Sequence, residues 1–144
     1  MFSKTCEYAI RAVLYIAQKS EGGEKVNIKS IATNINSPES FIAKILQQLT
    51  KKGLVQSVKG PNGGFYINER SREHSLSDIV KAIDGDDIFV NCGLGLSQCS
   101  EEHPCPIHHE YKKIKHNITQ MLNNAKVNSL SEELAQNLTF LKKV

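Results

Sequence analysis

Gly53-Leu54-Val55-Gln56-Ser57-Val58-Lys59-Gly60-Pro61-Asn62-Gly63-Gly64-Phe65-Tyr66-Ile67 joins two strand-forming runs through a reversal rich in glycine. Leu54 to Val58 is rich in β-branched residues and predicts a strand, and Phe65-Tyr66-Ile67 predicts its partner. Lys59 to Gly64, between them, is built from residues that tolerate positive φ and tight reversal. Upstream, Ser37 predicts an N-cap, Pro38 the first helical position, and Glu39 a carboxylate in the electropositive first turn. Ile42, Ile45, Leu46 and Leu49 give that helix an apolar face, and Gly53 stops it after Lys51-Lys52. A shorter helix is expected from Asn27, with Ile28, Ile31, Ala32 and Ile35 on one face. A longer one runs over Ser3 to Lys19, with Ile10, Val13, Leu14 and Ala17 at helical spacing. Three helices followed by a hairpin is the order of a winged helix-turn-helix. The fold class is therefore mainly α with a small β-hairpin.

Downstream, Ser75-Leu76-Ser77-Asp78 reads as a capping box opening a helix that carries Leu76, Ile79, Val80 and Ile83 and ends at Gly85. Asp86 to Pro106 has no periodicity and holds three of the four cysteines. Tyr111, Ile114, Ile118, Met121 and Ala125 then recur at alternating spacings of three and four along a long helix. Such a seam must pack against something, and a second copy of the chain is the natural partner. Ser129-x-x-Glu132 predicts the cap of a last short helix. Three regions are expected: a DNA-binding domain over 1–85, a cysteine-rich loop over 86–106, and a dimerisation helix with a C-terminal helix over 107–144.

The 144 residues are 40% hydrophobic and 23% charged, which suits one folded domain and excludes a disordered chain. Arg11 interrupts the apolar stretch near the N-terminus, so neither a membrane span nor a signal peptide is expected, and a cytoplasmic location is. The net charge of +3 is unevenly divided: residues 1–70 carry +5 and residues 71–144 carry −2. A basic half suits a polyanion. On the third helix, Ser40, Lys44, Gln47, Lys51 and Lys52 take exposed positions, with side chains suited to base edges or phosphates. On the hairpin, Ser57, Lys59, Gly60 and Asn62 are the candidate contacts, and the glycine backbone there can approach phosphate closely. No nucleophile elbow, P-loop, dinucleotide fingerprint or HExxH is present, so an enzyme is not expected.

Cys92-x6-Cys99-x5-Cys105 lies in a loop of glycine and polar residues. Structural zinc normally uses a tight C-x2-C pair, whereas these spacings make a wider ring that suits a larger object. An iron–sulfur cluster, a zinc site and a thiol switch all remain open on spacing alone. An electron-transfer module is the reading of another class. A disulfide framework is disfavoured because nothing indicates export.

The runs Tyr8-Ala9-Ile10-Arg11-Ala12, Leu14-Tyr15-Ile16-Ala17 and Gly53 to Phe65 resemble the Rrf2 family of bacterial transcription regulators. The likeness extends through Leu76-Ser77-Asp78-Ile79-Val80 and the long helix. It implies a homodimeric winged-helix protein on a palindromic operator in double-stranded DNA, more often repressing than activating. It also implies control by an iron–sulfur cluster, [2Fe–2S] in preference to [4Fe–4S], that responds to redox state, nitric oxide or cluster supply. Cys92, Cys99 and Cys105 match the family's ligands, although the first spacing is longer by one than the usual five. His108 matches the histidine that completes the site in one branch, and the partner subunit's Glu7 matches the acidic ligand of another. Cys6 and an exogenous ligand are the remaining candidates, and His103, His109 and His116 read as surface residues. Lys59 stands where the family usually has Arg, and Ala43 where one branch has a Glu that modulates site choice.

Overall fold

The computed structural model describes residues 1–142 and opens on α1 (Lys4–Ser20), where the Ser3 hydroxyl accepts from the Cys6 amide at 3.0 Å. Small and branched apolar residues alternate along this helix, so that Cys6, Ala9 and every residue from Ala12 to Ala17 are buried. α2 (Ile28–Ile35) starts where Asn27 accepts from the Ser30 amide, and ends on Asn36 in the left-handed region at φ 56°. α3 (Glu39–Lys51) starts one position later than a Ser37 cap implies. Ser37 donates its amide to the Ala32 carbonyl at 2.9 Å, which closes α2 and holds Ser37 outside the next helix. Pro38 is extended and stands at the cap itself, its carbonyl accepting from Phe41 and Ile42 at 3.1 and 3.3 Å.

β1 (Gln56–Val58) and β2 (Gly64–Tyr66) pair antiparallel with Ser57 opposite Phe65. The predicted strand is thereby shortened, because Leu54 and Val55 turn into the core before pairing begins. Val26 bridges to Phe65 through two backbone bonds of 2.8 and 2.9 Å, a third rung that local sequence does not announce. Gly64 is required there: its φ is +144°, and a Cβ would lie 2.9 Å from the Val26 carbonyl oxygen. A Cβ on Gly63 would come within 2.1 Å of the Val58 oxygen, so the hairpin closes only around glycine.

A short 3₁₀ turn at Ser71–Glu73 leads to α4 (Leu76–Asp84), which has the expected capping box of Ser75 and Asp78. The segment expected to be aperiodic holds one helical turn, α5 (Asp87–Val90). α6 (His108–Asn124) follows the cysteine loop, and α7 (Val127–Ala135) is the last helix among the described residues. α7 starts ahead of Ser129 because the Val127 amide donates to His74 and the Leu76 amide to Ala125, each at 2.9 Å. That pairing sets the helix start, and Ser129 lies inside the helix as an exposed residue.

The main core gathers Ala9, Val13 and Ile16 of α1 with Ile31 and Ile35 of α2, and Ile42, Ile45, Leu46 and Leu49 of α3. Leu54, Val55, Ile67, Ile79 and Val127 complete it. A fully buried aliphatic side chain contributes roughly 1.5–3 kcal/mol by leaving water, so this cluster dominates the stability of the basic half. A second cluster joins Cys6 of α1, Val80 of α4 and Leu122 of α6, with Ile88, Phe89 and Ile118 against it. Among the described residues, no helix is long and apolar enough to cross a membrane.

Burial opposes ionisation of Asp78, yet the Ser75 amide and the His74 imidazole outweigh it and hold its carboxyl below the ordinary range. A carboxyl lowered on folding adds stability above its unfolded pKa and loses it as pH falls through the folded one. Asp78→Ala is expected to cost roughly 0.3–1.5 kcal/mol near neutral pH and to flatten the acid limb of the stability profile. Denaturant titrations at a series of decreasing pH values check both.

Candidate functional site

Two faces carry the chemistry that the sequence singles out. On α3 the buried Ile42, Ile45, Leu46 and Leu49 turn Ser40, Lys44, Gln47 and Lys51 outward, and all four are exposed. Ser57, Lys59, Gly60 and Asn62 of the hairpin are exposed as well. Three residues outside the candidate DNA contacts, Phe41, Tyr8 and Arg11, lie together at the start of α3. Phe41, in the first turn of α3, is 52% exposed, and its ring sits 6.3 Å from that of Tyr8. The Arg11 guanidinium lies 4.9 Å from the Tyr8 ring and donates to the Ile35 carbonyl at 3.0 Å. The signal was a large apolar residue off the buried stripe of α3.

The cysteine loop is held against α6. A Cβ on Gly93 would meet the Tyr111 ring at 2.9 Å, so the loop backbone approaches that ring as closely as only glycine allows. Lys115, one turn further along α6, donates to the Asn91 carbonyl at 3.4 Å and reaches the Cys99 sulfur at 3.9 Å. Tyr111 is therefore engaged within its own subunit, and Ile118 packs into the second core cluster. Ala125 caps α6 from outside the helix, with φ −76° and ψ 98°. Of the expected seam, Ile114 and Met121 stand open at 54% and 50% exposure.

The four expected ligands meet as two pairs. Cys92 and Cys105 approach to 4.0 Å between sulfurs, and the Cys99 sulfur lies 3.4 Å from Nδ1 of His108. The turn Cys105 to His108 is closed by the His108 amide on the Cys105 carbonyl at 3.0 Å, which ties one member of each pair together through the backbone. The Leu94 amide donates to the Cys92 sulfur at 3.4 Å. Amides of Leu94 and Leu96 outweigh the cost of burial and hold the Cys92 thiol below its ordinary pKa. His108 is buried, with Nε2 lying 3.3 Å from a carboxylate oxygen of Glu101 but off the direction a hydrogen bond needs. Lys112 and, after it, His108 hold the Glu101 carboxyl below the ordinary range.

Among the described residues, the donors that gather within 4.8 Å of one another are Glu101, His108 and His109, a grouping sequence spacing did not suggest. Glu7 pairs with Lys4 of its own helix at 3.2 Å and remains partly exposed. Cys6 is fully buried, and burial, then Asp84, pushes its thiol up to about 12. Iodoacetamide applied to the folded, metal-free protein at neutral pH is expected to modify Cys99 and leave Cys6 untouched until denaturant is added. Equal labelling of Cys6 in folded and unfolded protein, read by peptide mass analysis, would contradict its place in the core.

The Rrf2 family profile, described as an iron-dependent transcriptional regulator, matches residues 2–133. A protein of Aquifex aeolicus named as an HTH-type transcriptional regulator is 31% identical over 132 residues, covering 90% of this chain and 90% of its own. The HTH-type transcriptional regulator IscR of Pectobacterium atrosepticum is 28% identical over 123 residues, covering 85% of this chain and 74% of its own. Among solved structures, CymR of B. subtilis, described as its global cysteine regulator, superposes with a TM-score of 0.74 at 20% identity, over 95% of this chain and 97% of that one. The T. potens IscR structure gives 0.74 at 20% identity, over 96% and 91%. These likenesses show the fold, a winged helix-turn-helix, as the hairpin and its three preceding helices led one to expect. The family and the matched relatives are regulators of transcription and not enzymes. From the match over nearly its whole length, the chain belongs to the Rrf2 family of transcriptional regulators.

Proposed function

We propose that the protein is a homodimeric regulator, acting as a repressor, whose affinity for a palindromic operator is set by an iron–sulfur group in the cysteine loop. The observation that carries this reading is the pairing of donors, Cys92 with Cys105 and Cys99 with His108. Two pairs suit a [2Fe–2S] group, which takes two ligands on each iron, better than a single ion with four converging ligands. The donor chemistry fits as well: three thiols, one of them lowered in pKa by backbone amides, and a buried imidazole whose Nδ1 faces the sulfur. When bound, the group supplies a one-electron redox centre whose potential follows its charge, ligands and hydrogen bonds. A family description of iron dependence agrees with that choice of cofactor.

The protein's own part is positional. Cys105 and His108 straddle the start of α6, so whatever rearranges the loop acts directly on the first turn of that helix. Ile114 and Met121, exposed on α6, are offered as contacts with the second copy. A dimer reads half-sites about one DNA turn, roughly 34 Å, apart, so a displacement of a few ångströms between recognition helices is enough to lose registry.

Protein purified without air is expected to carry iron and sulfide in stoichiometric amounts, with visible absorption. Cys92→Ala, Cys99→Ala and Cys105→Ala should each abolish both, while Cys6→Ala keeps them. Colourless protein containing zinc would reject the cofactor. Separately, Lys59→Ala should weaken duplex binding across sequences and lower the slope of affinity against salt by about 1, leaving the visible spectrum intact. Unchanged affinity would remove Lys59 from the interface.

A second reading has one observation in its favour: the 4.0 Å approach of Cys92 and Cys105, the first with a lowered thiol. A disulfide there would form with loss of two protons and two electrons to an external oxidant such as a peroxide or disulfide. A structural neighbour is described as the oxidized form of Staphylococcus aureus CymR, at 23% identity and TM-score 0.72. Under this reading Cys99→Ala retains the switch and Cys92→Ala loses it.

A further inference from the structure

The His108 imidazole lies between two groups of different character. Its Nδ1 faces the Cys99 sulfur at 3.4 Å, and its Nε2 faces the Glu101 carboxylate at 3.3 Å. The ring is buried, and Nε2 has no hydrogen-bond partner among the described residues. Glu101 in turn is paired with Lys112, which projects from the next turn of α6. The Glu101 side chain is 58% exposed, and its oxygen stands 3.3 Å from Nε2, off the direction a hydrogen bond needs. A buried imidazole nitrogen left without a partner is costly, and a carboxylate already oriented by a lysine is the group at hand to satisfy it.

The geometry points to Glu101 as a positioning residue that fixes His108 as the Nε2–H tautomer and so presents a bare Nδ1 to the cysteine loop, with Lys112 holding Glu101 in place. Histidines that bind metals through one nitrogen commonly donate the other N–H to a carboxylate, which sets the tautomer and the ring plane. Here the helix supplies that arrangement within one turn: His108 opens α6 and Lys112 follows at i+4 on the same face. The carboxylate comes from the loop side, between Cys99 and Cys105. Loop and helix are thereby joined by a chain of polar contacts, Cys99 to His108 to Glu101 to Lys112, that is absent from any reading based on cysteine spacing. His109, whose ring lies 5.3 Å from that of His108 and perpendicular to it, stands beside this chain and is exposed.

The tautomer is a property of the metal-free protein, and only its consequence for iron retention rests on the cluster reading. The test uses full-length protein labelled with nitrogen-15, without metal, at a pH where the imidazole is neutral. Long-range proton–nitrogen correlation, with His108 assigned by its loss in His108→Gln, is expected to show the Nε2–H form in the wild type. Glu101→Ala should shift the ring towards a mixture of tautomers, and Glu101→Asp should restore the wild-type form in part. Nδ1–H as the wild-type form, or a ring unchanged in Glu101→Ala, would overturn the assignment. In iron-loaded protein, Glu101→Ala should lose iron to a chelator with an affinity about 10–100-fold weaker than wild type. Wild type that takes up no iron and sulfide would refute the cluster reading while leaving the tautomer result standing. Iron held equally by wild type and Glu101→Ala would refute the positioning role alone.

Discussion

Ala9, Ala12, Ile16 and Ala17 of α1 are themselves fully buried, and α2, α3, α4, α7 and β2 all pack on that helix. The alanines matter because a small side chain lets a neighbouring helix approach closely, and several neighbours do so at once. α3 is held through Ile42, Ile45, Leu46 and Leu49, which leaves its polar side as the exposed one. The hairpin is tied to the same framework by Val26 pairing with Phe65 and by Gln56 donating to Ser71 at 2.7 Å. The orientation of every candidate DNA-contacting residue follows from this packing on α1.

The same helix meets the half of the chain that carries the cysteine loop. Cys6, near its N-terminus, packs with Leu122 of α6 and Val80 of α4, fully buried in all three cases. α6 begins at His108, whose ring touches the cysteine loop, and it runs past Tyr111, on which Gly93 lies. One rigid helix therefore carries the loop at one end and a core contact with α1 at the other. In the proposed account, the loop's state reaches the reader through this helix and through the pairing of two copies along it.

Much of this was legible because the deciding signals are local. The capping box of Ser75 and Asp78, the Asn27 start, the glycine-rich reversal and the apolar stripes each depend on residues within one turn of one another. The misplacements share a different cause. Ser37 and Ser129 are sound caps by composition, but Ser37 is used to close α2 and Ser129 is overtaken by backbone pairing at Val127. Both are tertiary effects. The cysteine loop divides in the same way: Cys92, Cys99, Cys105 and His108 were singled out by spacing and resemblance, whereas Glu101 and Gly93 acquire meaning only when the loop folds back on α6. Tyr111 illustrates the ambiguity of a seam, since periodicity says that a face is covered and not by what.

If the state of the cysteine loop governs DNA binding, one preparation measured iron-loaded and after removal of the metal, at the same salt concentration, binds its operator duplex with affinities that differ by well over the scatter of the measurement. That difference is abolished in Cys105→Ala. Equal affinity for both forms of the wild-type protein would contradict control by the loop.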